Sequence, residues 1–105
     1  MDPRPGDVHV LDLGIAGKVR AGIVLSRFDP DRPLAQVIVA SITTKCRDSR
    51  YEVSLGKPSF LREESWVNVQ SAAAIDPHKL GKRIGKLTEE QMAKIKKALA
   101  YLFDF

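Results

Sequence analysis

The sequence changes character at Thr88, and that change limits the folds open to it. Before it, apolar residues come in short runs broken by Gly, Pro and polar clusters; after it, they recur at helical spacing. Thr88 suits an N-cap, and Gln91, three places on, completes a capping box. Glu89 and Glu90 fall in the first turn, where the positive end of the helix dipole favours them. Met92, Ile95, Leu99, Leu102 and Phe103 form one apolar stripe. The pattern predicts an amphipathic helix of about 15 residues, packed on the part of the chain that precedes it.

That earlier part reads as β. Residues 7–13 alternate, with Val8 and Val10 apolar and His9 pointing outward between them. Residues 19–26 are too apolar for a half-exposed strand. Residues 28–33 break the pattern with Pro30 and Pro33, which cannot donate ladder hydrogen bonds. Residues 34–43 make a third strand, and residues 44–49 a polar loop. Residues 51–55 alternate and are expected to pair with the third strand; residues 56–59 turn the chain, and residues 65–69 make a fifth strand. Short strands at this spacing, closed by one helix, predict a mainly β fold, a small barrel or sandwich. A chain of 105 residues holds one domain, spanning 1–105, since two would not each bury a core.

Composition narrows the function. An apolar share of 44% is that of a globular protein. No apolar stretch approaches the roughly 20 residues that span a bilayer, and the start lacks the apolar core of a signal peptide. A cytoplasmic protein without membrane partners is expected. The single cysteine, Cys46, rules out an internal disulfide and a Cys-rich metal site. A net charge of +4 and a pI near 9.4 favour acidic partners such as nucleic acid. Lys79, Lys82, Arg83 and Lys86 cluster just before the helix and read as a solvated face.

Two polar residues stand at strand ends. Arg20 opens the run Ala21-Gly22-Ile23-Val24-Leu25, and Thr43 closes Val37-Ile38-Val39-Ala40-Ser41-Ile42. A guanidinium fork and a hydroxyl suit phosphate oxygens. The order of motifs extends this. The opening Arg4-Pro5-Gly6-Asp7-Val8, the segment Gly17-Lys18-Val19-Arg20, the run ending Ser41-Ile42-Thr43, Ile75-Asp76-Pro77 with Leu80, and Ile84-Gly85-Lys86-Leu87-Thr88 follow one another as in one known family. The chain resembles the MazF/PemK bacterial toxins, along nearly its whole length.

The resemblance implies an SH3-like barrel with a C-terminal helix, a homodimer, and cleavage of single-stranded RNA without metal or other cofactor. It implies neutralisation by a cognate antitoxin whose acidic segment occupies the RNA groove. By position it makes Arg20 and Thr43 the catalytic pair. Lys18, Thr44, Lys45, Gln70 and His9 are the matching candidates for RNA contact. The sequence departs from the family pattern in several places. The loop before Arg20 is short and lacks an acid. Ala21 and Ser41 replace prolines. Gln70-Ser71-Ala72-Ala73-Ala74 replaces a segment that carries an acid and an arginine. The alternative is therefore a catalytically weak or inactive binding member of the same fold. Such a protein would act on RNA or on a protein target, as the related CcdB fold acts on gyrase.

The chemistry has three needs: a proton taken from the ribose 2′-OH, a proton given to the leaving 5′ oxygen, and charge stabilisation at phosphorus. His9 and His78 lie far apart in sequence, so spacing does not support a two-histidine site. Arginine stays charged in proteins, so Arg20 is assigned chiefly to charge stabilisation, with proton transfer as the second role that the resemblance implies. Thr43 donates its hydroxyl to the same phosphate. Gln70 can hydrogen-bond RNA but cannot titrate.

Overall fold

The computed structural model describes residues 2–12 and 20–105. Strands β1 (Asp7–Leu11), β2 (Arg20–Val24), β3 (Val37–Thr43), β4 (Glu52–Gly56), β5 (Ser65–Asn68), β6 (Ala73–Ile75) and β7 (Leu80–Lys86) precede helix α1 (Glu89–Leu102). The strands pair antiparallel in the order β4-β5-β3-β2-β1-β7, and β6 also pairs with β3. Short 3-10 turns at Val69–Ser71 and Pro77–Lys79 join β5 to β6 and β6 to β7.

Pleating divides the apolar residues between two faces. Val8, Ile23, Ala40, Ile42 and Val67 form the main core beneath α1, which contributes Ile95 and Ala98. Leu11, Val24, Val37 and Val39 make a smaller cluster on the other face, against Ile75 and Leu80. A strand that feeds both faces reads as a continuous apolar run, as β2 and β3 do.

The helix begins as expected. Thr88 Oγ1 accepts from Gln91 N at 3.1 Å, and Thr88 N donates to Gln91 Oε1 at 2.9 Å. The same glutamine donates through Nε2 to the Leu55 carbonyl at 3.3 Å, tying the cap to β4. Met92, Leu99 and Leu102 pack against the core as expected, but Phe103 lies beyond the last turn and is exposed.

One expectation changes, and one strand was not anticipated, although its cations are exposed as expected. β4 pairs with β5 and not with β3, in the register Val53↔Val67. β3 has no edge to offer it: β2 takes one side, while β6 and β5 share the other. The cationic stretch before the helix is largely a strand, β7, at the sheet edge, where lysines discourage pairing with another chain. β1 is consequently an inner strand, lying between β2 and β7.

The opening motif has a structural role. Asp7 Oδ2 accepts from Arg4 N at 3.0 Å, and Asp7 N donates to the Arg4 carbonyl at 3.0 Å. The closed turn puts Gly6 at φ +92°, which glycine tolerates without a Cβ penalty.

Candidate functional site

The register of β2 on β3 sets the site. Gly22 faces Ser41, Ile23 faces Ala40 and Val24 faces Val39. Continued by two residues, the same register brings Arg20 opposite Thr43. Both then lie on the face that carries Gly22 and Ser41, since side chains alternate along a strand. Directly opposed residues approach to about 5 Å at Cβ, a gap that one phosphate group can bridge. Leu11 is paired with Arg20 on one side, and Trp66 with Thr43 on the other. Leu11–Arg20 on one side and Thr43–Trp66–Ser54 on the other are thus the paired positions that flank this end of β2 and β3.

Gly22 keeps these positions in place. A Cβ there would run into Leu11 Cδ1 and Cγ and come within 3.2 Å of the Ala40 carbonyl. Leu11 therefore lies over Gly22, and its own strand position is opposite Arg20.

Arg20 is exposed, and no carboxylate among the described residues ion-pairs with its guanidinium. Its fork of donors is available to an incoming anion. Thr43 is half-buried, and its Oγ1 accepts from Lys45 N at 3.1 Å. Accepting that bond leaves the hydroxyl proton free to donate. The same bond turns the chain out of β3, with Thr44 and Lys45 exposed beyond it. Glu52 anchors the far end of this loop. Its carboxylate accepts from Arg47 N at 2.8 Å, Ser49 N at 2.9 Å and Ser49 Oγ at 2.8 Å. The Arg47 amide above all, then the Ser49 hydroxyl, hold the Glu52 carboxyl below its ordinary pKa.

Gln70 is exposed in the 3-10 turn after β5. That turn follows the edge of β3 between its partners β5 and β6. Arg20, Thr43, Thr44, Lys45 and Gln70 are accordingly grouped about the β2–β3 end of the sheet. Lys18 lies outside the described residues.

His9 does not belong with them. The expectation that it points outward is overturned: its residue is only 6% exposed. β1 is flanked on both edges by β2 and β7, and every residue on it except Val10 is buried. His9 Nδ1 lies 3.0 Å from the Gly81 carbonyl, which can only accept, so Nδ1 carries the proton. Nε2 is buried and meets no partner among the described residues. Trp66 is half-buried beside Thr43. Among the described residues no group of three or more His, Cys, Asp or Glu gathers at one place, and no helix is long and apolar enough to cross a membrane.

Two contributors were missed in the sequence. Ser41 N donates to Ser71 Oγ at 2.8 Å, and that hydroxyl donates to the Asn68 carbonyl at 2.7 Å. Asn68 also accepts from Gln70 N at 2.9 Å through its side chain. An Asn at a strand end with a Ser three places later is a turn signature that could have located them. A separate cleft of about 310 Å³ lies between β4 and α1, lined by Arg50, Lys94, Lys97 and Tyr101 among others, and includes neither Arg20 nor Thr43.

The architecture and the chain's motifs agree with known proteins. Against solved structures, it superposes on an endoribonuclease in complex with its cognate antitoxin from a mycobacterial species, with a TM-score of 0.83 and 26% identity over 98% of this chain and 96% of that one. The Mycobacterium tuberculosis toxin MazF-mt6 gives 0.82 and 30% identity, over 97% and 98%. MazF from a Deinococcus radiodurans MazE–MazF complex shares the fold at 0.79, with 17% identity over 98% and 96%. No curated protein matches the sequence. The pattern of the PemK-like, MazF-like toxins of type II toxin–antitoxin systems matches residues 4–103. With nearly every residue inside that pattern and the fold to accompany it, the chain belongs to the PemK-like, MazF-like toxin family, whose function is RNA cleavage.

Proposed function

We propose that the protein is the toxin of a type II toxin–antitoxin system and cleaves single-stranded RNA at Arg20 and Thr43. The observation that carries this is the β2–β3 register with Gly22 opposite Ser41, which, continued by two residues, sets a guanidinium with no carboxylate partner among the described residues against a strand-end hydroxyl. In the reaction the ribose 2′ oxygen bonds to the adjacent phosphorus while the bond to the 5′ oxygen breaks. The 2′ proton is lost and the 5′ oxygen gains one, leaving a 2′,3′-cyclic phosphate and a 5′-hydroxyl. Arg20 stabilises the charge that builds on the equatorial oxygens, and Thr43 donates to one of them. Single-stranded RNA suits the site because unpaired bases can splay out to be read.

Thr44, Lys45 and Gln70 line the approach, and Lys18 completes the set by sequence position. A cytoplasmic location follows from this role. A homodimer is supported by exposed apolar side chains that one protomer does not cover, with Phe103 56% exposed and its ring 5.8 Å from that of Phe105. The antitoxin meets the basic groove through an acidic segment.

A second reading rests on Gln70. It stands where the family pattern has an acid and cannot titrate, which favours a member that binds without cutting. One experiment separates the two: purified protein and Arg20→Ala are incubated with mixed RNA in EDTA. Cleavage by the first and loss of at least ~100-fold by the second are expected. No cleavage by either, with growth arrest and intact cellular RNA on expression, would establish the binding member instead.

A further inference from the structure

We propose that Ser71 is a positioning residue for base recognition, holding Gln70 where its amide reads one nucleobase of the bound RNA. The inference rests on the RNA-directed reading above.

The starting point is a gap in hydrogen bonding. β3 pairs with β6 at Val37 to Val39 and with β5 at Ile42 and Thr43, on the same side. Between these stretches the ladder is interrupted, and the Ser41 amide faces the interruption. A backbone donor left without a partner is costly. Ser71 supplies the partner: its Oγ accepts from Ser41 N at 2.8 Å and passes its own proton to the Asn68 carbonyl at 2.7 Å. The hydroxyl uses both capacities and joins the two ends of the turn to β3.

A proline at position 41 would carry no N–H and leave nothing to satisfy. With Ser41 the amide is present, and Ser71 stands opposite it.

Gln70 lies inside that loop of bonds. Its amide N donates to Asn68 Oδ1 at 2.9 Å, and Ser71 follows it directly, so its backbone is fixed on both sides while its side chain is exposed. Ser41 is two residues from Thr43, about 7 Å along the strand. A nucleotide next to the phosphate at Thr43 falls within reach of Gln70. A carboxylate only accepts, whereas an amide donates and accepts side by side. Gln70 therefore suits a base edge that offers a donor beside an acceptor, as adenine does through N6 and N7 and cytosine through N4 and N3. Rigidity of the turn turns such a contact into discrimination, because a loose amide would serve any base.

The test uses two readouts on the purified protein. Cleavage products from a randomised RNA pool are sequenced, and binding is measured to 2′-O-methyl homopolymers of A, C, G and U, which cannot be cut. The wild type is expected to favour one base, adenine or cytosine, at one position by about 10-fold. Gln70→Glu should shift that position towards guanine, whose N1–H and N2 amino group only donate. Ser71→Ala should lower the preference there several-fold, chiefly by slowing cleavage of the favoured sequences, and Ser71→Thr, which keeps the hydroxyl, should retain it. Ser41→Pro should add no further loss to Ser71→Ala, since both remove the same bond. An unchanged preference in Gln70→Glu and Ser71→Ala overturns the proposal. So does a Ser71→Ala variant that loses all substrates equally. If the wild type binds the homopolymers selectively and Ser71→Ala does not, yet neither cuts RNA, the positioning role stands and the nuclease reading fails. A wild type selective in neither readout overturns it.

Discussion

Arg83 lies on β7 with its Nε 3.2 Å from Asp7 Oδ1, and Asp7 is nearly buried. Arg20 starts β2 in the open, with no carboxylate partner among the described residues. The two cations sit at opposite ends of the β2-β1-β7 part of one sheet and have opposite tasks. At the β7 end the charge is satisfied internally: Asp7 also takes the Arg4 amide and closes the turn that leads into β1. At the β2 end no carboxylate among the described residues answers the charge, and the natural complement is an anion from outside. The comparison teaches that a basic net charge is a poor guide to a binding site. What matters is which cations remain unneutralised after folding, and where a hydroxyl faces them.

The sharpest way to break this comparison is to truncate each arginine in turn. Arg20→Ala should lower kcat for RNA by about 10²–10³-fold, with stability changed by no more than about 0.5 kcal/mol. Arg83→Ala should do the reverse. It leaves the Asp7 carboxylate nearly buried with one partner fewer, at a cost of about 1–3 kcal/mol, while cleavage per folded molecule is retained. Urea titration and single-turnover cleavage on both variants give the crossed pattern. If both variants lose stability and keep activity, the distinction between the two ends collapses.

Thr43→Val sharpens the same comparison more gently. It keeps the β-branched shape that suits a strand but removes the donor, and it also releases Lys45 N from Oγ1. A neutral hydrogen bond to the transition state is weaker than a charged one, so a loss of about 10-fold in kcat is expected. Serine at the same position should recover most of it. Equal rates for Thr43→Val and the wild type would show that the hydroxyl does not touch the reacting phosphate.

The same contrast shows what the sequence could reveal. The Thr88 cap was legible because every group in it lies within four residues. β2 and β3 were legible as apolar runs, and with them the positions of Arg20 and Thr43 at strand ends. The register that sets β2 against β3 was not legible, since register is a property of two strands. β7 was obscured by its composition. Leu80 and Ile84 are separated by Gly81 and two cations, and Gly85 follows, so neither alternation nor an apolar run is visible. That omission propagated. Without β7, alternation alone set His9 in solvent between Val8 and Val10. Once β7 is paired with β1, His9 falls between Gly22 and Arg83 and is buried. The pairing of β4 with β5 was hidden for a related reason. Only the full set of partners shows that β3 has no edge left.

The smallest effect concerns pH and is confined to the β2–β3 end. The Glu52 carboxyl is held below its ordinary pKa by the Arg47 amide first, then by the Ser49 hydroxyl. Its folded pKa lies under its unfolded one, so its contribution to the loop is fully present above the unfolded value. The contribution fades as pH falls through the lower, folded value. The loop that carries Thr44 and Lys45 should therefore loosen in acid before the Thr88-capped helix does. Hydrogen exchange at the Arg47 and Ser49 amides, followed as pH is lowered, is the measurement. With the intrinsic exchange rate divided out, protection at these two amides should drop below the ordinary glutamate range. Glu52→Gln should remove that pH dependence, because an amide side chain does not titrate. Protection that stays constant in the wild type across the same range would mean that the carboxylate does not hold this loop. The ordering of the site end would then have to come from the Thr43–Lys45 bond alone.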